Sequence, residues 1–166
     1  DGFAAELDGA CWGFECLLNM PPAPNSLFNP LAEDRDPMRM PIPTEDTHYD
    51  RGVERPVYLV TGEPRQRGKF MNDTKGTSST AAKYAASFAL GSRLFYKTDS
   101  TYAKLLREKS LTALRYSNIQ PGVTQTVSVR SPYIYAEDNW TDDMELAYTA
   151  VQSDKSHLDS AFWYAQ

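Results

Sequence analysis

The sequence predicts an all-α protein of stacked helical hairpins, interrupted by one long ordered loop. Two observations lead there. Apolar residues recur at helical spacing over 81–95 and again over 142–153, and each run is followed by a more amphipathic one, at 102–116 and from 157 to the last residue. A buried helix followed by an outward-facing one is the unit of stacked hairpins. Between the first helical run and these pairs, 21–75 holds most of the eleven prolines and no sustained helical period.

The first element expected is a helix over 4–20, because Trp12, Phe14, Leu17, Leu18 and Met20 close an apolar run and Pro21-Pro22 follows. Proline lacks the amide hydrogen and the room that a continuing helix needs. Cys11 and Cys16 are the only cysteines. On one helix they would stand about 7.5 Å apart along the axis and on different faces, so a disulfide between them is not expected. They read as two free, buried thiols.

The stretch 21–75 reads as an ordered loop with one short strand at 57–60. Leu27, Phe28, Met38, Met40, Ile42, Tyr49, Val57, Tyr58 and Phe70 are too many apolar groups for a solvated tether. A loop of that length in a compact domain is commonly functional.

In 81–95, one stripe is Ala81, Tyr84, Ala85, Phe88, Ala89, Ser92 and Phe95, and Ala82, Ala86, Leu90 and Leu94 make a second. Only Lys83 and Arg93 interrupt, so this helix should be buried on most sides. In 102–116, Tyr102, Leu105, Leu106, Ala113 and Tyr116 form one face opposite Lys104, Arg107, Glu108, Lys109 and Arg115, the pattern of an outer helix. A Thr-, Ser- and Val-rich loop at 122–130 leads on to 142–153, read as a second inner helix through Met144, Leu146, Ala147, Tyr148, Ala150 and Val151. The outer helix from 157 leaves Phe162, Trp163 and Tyr164 exposed unless something covers them.

Composition narrows the function classes. With 166 residues, 41% hydrophobic and 23% charged, the chain has an ordinary globular composition sufficient for one core. The net charge of −5 and the scattered basic residues provide no footprint for nucleic acid or an anionic membrane. No apolar run reaches the ~20 residues of a membrane span, and the first residues lack the basic start and apolar centre of a signal peptide. The chain is therefore expected to start after processing or in mid-domain. A neutral, hydroxyl-rich partner such as a sugar is compatible with this surface.

Four segments in order give a sharper reading: LDGACWGFECLLNM at 7–20, ERPVYLVT at 54–61, TAAKYAAS at 80–87 and DNWTDDMELA at 138–147. Together they resemble glycoside hydrolase family 9, the cellulase family. The resemblance implies part of an (α/α)6 double barrel, with residues 1–166 forming a single partial catalytic domain. It also implies inverting hydrolysis of β-1,4-linked glucan, without a required cofactor, in a secreted or periplasmic protein. Inversion needs two carboxyl groups about 6.5–9.5 Å apart across the sugar. The family's paired-aspartate motif and its C-terminal glutamate have no counterpart here, so this chain alone is expected to be inactive and no catalytic residue is assigned to it.

The same resemblance implies binding roles. A calcium-holding motif aligns with Asp138, Asn139, Asp142 and Asp143, and calcium accepts such oxygen ligands with irregular geometry. Read from the residues alone, the segment caps a helix: Asn139 or Thr141 at the N-cap, with Asp142 and Asp143 in the first turn near the positive end of the helix dipole. Both readings stay open, with calcium as a structural ion. Family cleft aromatics fall near Tyr133 and Tyr135, whose rings could stack on sugar faces, while the family's cleft tryptophan is matched by Glu137. His48 and Tyr49, in the long loop, are weaker candidates for sugar contact. Arg55 reads as a pin for the loop. Thr77, Ser78, Ser79 and Thr80 read as helix caps, because no His or Lys partner would make one of them a nucleophile.

The expected partners are a β-glucan and either the remainder of the catalytic domain or a second copy, which would cover the apolar edges. A non-catalytic sugar-binding or scaffold protein of the same architecture is the alternative. A plain helical interaction module would not explain four motifs in order.

Overall fold

The computed structural model describes residues 5–21, 26–29, 58–64, 66–67, 70–125, 137–152 and 155–166. The expected all-α architecture is observed. Among the described residues five helices carry the core: α1 (Ala5–Leu18), α2 (Ser78–Phe95), α3 (Ser100–Ser117), α4 (Thr141–Val151) and α5 (Lys155–Tyr164). Two-residue strands form two small antiparallel ladders, β1 (Phe28–Asn29) with β2 (Tyr58–Leu59), and β3 (Gln66–Arg67) with β4 (Phe70–Met71). The expected strand at 57–60 is thus present in its centre.

α2 is the axis of the fold. Ala81, Ala82, Ala85 and Ala89 are almost fully buried, because their small side chains let neighbours close in, and Phe88 is fully buried among them. α3 folds back antiparallel to it after a turn in which the Asp99 carboxylate accepts the Thr101 and Tyr102 amides as a helix cap. Ser110 on α3 donates to Ala85 O on α2 at 2.8 Å, and the Phe95 and Tyr102 rings meet edge to face. The buried side of α3 is Ala103, Leu106, Ser110, Ala113, Leu114 and Ser117. This corrects the expected face by a fraction of a turn: Leu105 is exposed, because small residues suit the close approach to α2 better.

α4 lies beside α2 and parallel to it. Lys83, early in α2, meets Asp143, early in α4, and a cavity of about 320 Å³ is lined by Ala89, Ser92 and Arg93 of α2 and by Ala150 and Val151 of α4. Met144, Ala147 and Val151 of α4 are fully buried. α5 returns antiparallel along α4, with Tyr164 stacked on Tyr148 and edge-on to Trp140. Two parallel inner helices, α2 and α4, are thus each paired with an antiparallel outer partner, as the repeat pattern predicts.

Exposure corrects several residues read as apolar face. Leu90, Leu94 and Leu146 are about half exposed. Phe162 and Trp163, expected to be exposed, are 69% and 67% exposed, whereas Tyr164 is half-buried. α1 runs antiparallel to α2, with Phe14 against Phe88 and Phe95. The Phe14 ring occupies the space over Gly91, where a Cβ would lie 2.5 Å from its Cζ. α1 buries no residue completely. Its Cys11 is half-buried, but Cys16 is exposed, contrary to the expectation of two buried thiols.

Candidate functional site

Both inner helices begin at the same end of the molecule, and the backbone there is held by an interlocked pair of segments, 72–79 and 117–125. Lys75 and Gly76 amides both donate to Val123 O, Thr77 N to Gln120 O, and Ser78 N to Gly122 O. Gly76 passes so near Gly122 that only glycine fits. The hydroxyls that were expected to cap α2 serve this junction. Thr77 is the N-cap residue, yet its side chain makes no capping bond; its Oγ1 donates to Tyr116 O instead. Ser78 Oγ donates to Ser117 O and accepts the Gly122 amide, and Ser79 Oγ accepts the Thr124 amide. The correction has a physical reason: these groups are buried, and the turn after α3 presents amides and carbonyls that would otherwise be unpaired.

Gln125 carries the junction on to α4. Its Oε1 accepts the Asp73 amide at 2.8 Å, and its Nε2 donates to Glu137 O at 2.9 Å. From Glu137 the chain turns into α4 through Asp138, Asn139 and Trp140. Asn139 Oδ1 accepts both the amide and the hydroxyl of Thr141, at 3.2 and 2.9 Å. The N-cap position itself is held by Trp140, without a side-chain cap, which corrects the placement of Asn139 or Thr141 there. Asp142 and Asp143 do stand in the first turn.

Lys83 reaches from α2 into this segment. Its Nζ hydrogen-bonds the Glu137 carboxylate and lies 3.2 Å from Asp143 Oδ2. Burial opposes the charge on Lys83, but the hydrogen bond to Glu137 and the attraction of Asp143 and Glu137 outweigh it, and its pKa is raised above the ordinary lysine value. Burial lifts the Asp143 pKa above the usual carboxylate range, against the pull of Lys83. Among the described residues no group of three or more His, Cys, Asp or Glu side chains is placed to hold one metal ion.

Of the residues singled out in the sequence, Asp138, Asn139, Asp142 and Asp143 come together at this end of α4, with Asp138 and Asp142 exposed and Asp143 half-buried. Tyr133, Tyr135, His48, Tyr49 and Arg55 lie outside the described residues. Lys83 and Gln125 were not anticipated here. Lys83 carried a signal, since a cation on a helix otherwise apolar nearly all round must find a counter-charge. Gln125 carried none.

These features define a helical-hairpin protein with parallel inner helices, their starting ends gathered under loops at one rim. The family model described as Glycosyl hydrolase family 9 matches residues 3–162, nearly the whole chain, and the chain belongs to that family. It is accordingly related to glycoside hydrolases acting on β-glucans. A search of curated proteins found no match to it.

Proposed function

We propose that this chain forms part of the sugar cleft of a cellulase-type enzyme that hydrolyses β-1,4-glucan with inversion. The family match over residues 3–162 carries the reading. In this reading the acid and base carboxylates come from outside the chain, and the chain contributes inner wall and loops. Tyr133 and Tyr135 provide stacking surfaces for glucose rings, with His48 and Tyr49 contributing from the long loop. The bond of Gln125 to Glu137 brings the two ends of the segment that holds these tyrosines together at the starting end of α4.

The enzyme acts in this reading outside the cytoplasm, where polymeric glucan is found. The apolar side chains left uncovered on α4 and α5 are covered by the remainder of the domain or by a second copy. Reducing-end release from soluble β-1,4-glucan tests the proposal. A longer product carrying both carboxylates should release reducing ends, with the α-anomer forming first by proton NMR, and the 166-residue chain alone should release none. Hydrolysis by the chain alone, or β-anomer first, would overturn it.

A further inference from the structure

We propose that the Lys83 ammonium is the built-in counter-cation of the segment leading into α4, doing in this chain the neutralising work that a bound divalent ion would do. Two carboxylates, Glu137 before the helix and Asp143 in its first turn, reach the same nitrogen. Two of the side-chain oxygens there are already engaged. Asp143 Oδ2 faces Lys83, and Asn139 Oδ1 already accepts two hydrogens from Thr141. A divalent ion sharing Asp143 would have to sit beside a full positive charge, with a half-buried carboxylate between them.

The lysine also does what a loosely held ion would not. It fastens the start of α4 to α2, so the two inner helices are joined through a covalently tethered charge. Glu137 is part of the same arrangement: its carboxylate is turned to Lys83, so this position acts as an anchor for the rim. The two departures, a lysine within an apolar helix and a carboxylate at 137, explain each other.

The test compares the intact chain with Lys83→Ala and Lys83→Gln, measuring thermal midpoints with calcium and with chelator, and terbium luminescence sensitised by Trp140. The wild-type midpoint should be the same in both conditions, and the chain should give no saturable terbium signal. Removing the ammonium frees both carboxylates, so at least one variant should bind terbium saturably and gain roughly 5 °C or more at calcium about a hundredfold above Kd. Terbium binding by wild type, a calcium-dependent wild-type midpoint, or variants that gain no response to either ion would each overturn the proposal. The wild-type terbium measurement decides even if both variants fail to fold.

Discussion

A Cβ added to Gly76 would lie 2.4 Å from Gly122 N and 2.5 Å from Gln120 O, so the two segments at the rim meet backbone to backbone. Neither side can yield, because each is held by hydrogen bonds to the other. Gly76→Ala should therefore destabilise the chain by about 3 kcal/mol or more in denaturant unfolding. Gly9, in the middle of α1, has nothing within 4 Å of its Cβ position. Gly9→Ala should stabilise by about 0.5–1 kcal/mol, since it only restricts the unfolded chain and favours helix.

Two buried serines should respond differently to the same change. Ser78→Ala removes the acceptor of the Gly122 amide and leaves that N–H buried without a partner, costing about 2 kcal/mol. Ser110→Ala removes only a donor to Ala85 O, a carbonyl already used by the ladder of α2, and should cost about 1 kcal/mol or less. Equal losses in urea unfolding would contradict the roles assigned to the rim hydroxyls.

The Tyr102 hydroxyl is the buried side-chain polar atom without a hydrogen bond among the described residues. Burial raises its pKa, and the neighbouring Cys11 thiol raises it further without making a well-formed bond to it. Tyr102→Phe should therefore be neutral or stabilising by up to ~1 kcal/mol, with the edge-to-face contact to Phe95 retained. A loss above ~1 kcal/mol would show that the hydroxyl has a partner in solution.

Stability should fall steeply above about pH 10. Burial raises the pKa of Tyr84, Tyr102, Tyr116 and Tyr164, and the Lys83 pKa is raised through Glu137 and Asp143 despite burial. A group that holds its proton more tightly when folded binds more protons in the native state, so its contribution is complete below the unfolded value and is lost as pH rises through the folded one. Tyr116 adds a direct reason, because its hydroxyl donates to Val60 O at 2.6 Å and ionisation removes that bond. Absorbance at 295 nm should show tyrosine ionisation delayed in the folded chain and abrupt where it unfolds. Simple titration near the free value would contradict the burial of these rings.

Covering the apolar side chains of α5 is a matter of association. Phe162→Ser combined with Trp163→Ser should reduce concentration-dependent association in sedimentation velocity, with the melting midpoint little changed, because both side chains are exposed within the chain. A wild-type chain monomeric at all concentrations would count against the proposed partner.

The helices were legible because periodicity reports burial directly. The run at 81–95 reads as buried and is buried except at Leu90 and Leu94 of its second stripe and at its charged residues, and α4 and α5 fall within two residues of their expected starts. Faces were less legible. Leu105 and Leu146 read as core by type, but small residues beside them made the closer contacts, a choice set by interhelical distance and invisible in one sequence. The rim was least legible. Ser78 and Thr77 have the right chemistry for capping, yet a turn about forty residues later competes for their hydroxyls and wins. Asn139 was found but placed one position off the cap, since an Asx turn and an N-cap use the same side-chain oxygen.

α1 touches the rest of the fold through Phe14 and a few half-buried neighbours, whereas α2 is enclosed on most sides. Opening free energies should follow that gradient, with α1 amides exchanging hydrogen first and those of α2 last. Both cysteines lie on α1, and Cys11 is half-buried, so labelling of Cys11 beyond that of the exposed Cys16 reads the detachment of this one helix. The chain carries its own probe for the earliest event of its unfolding.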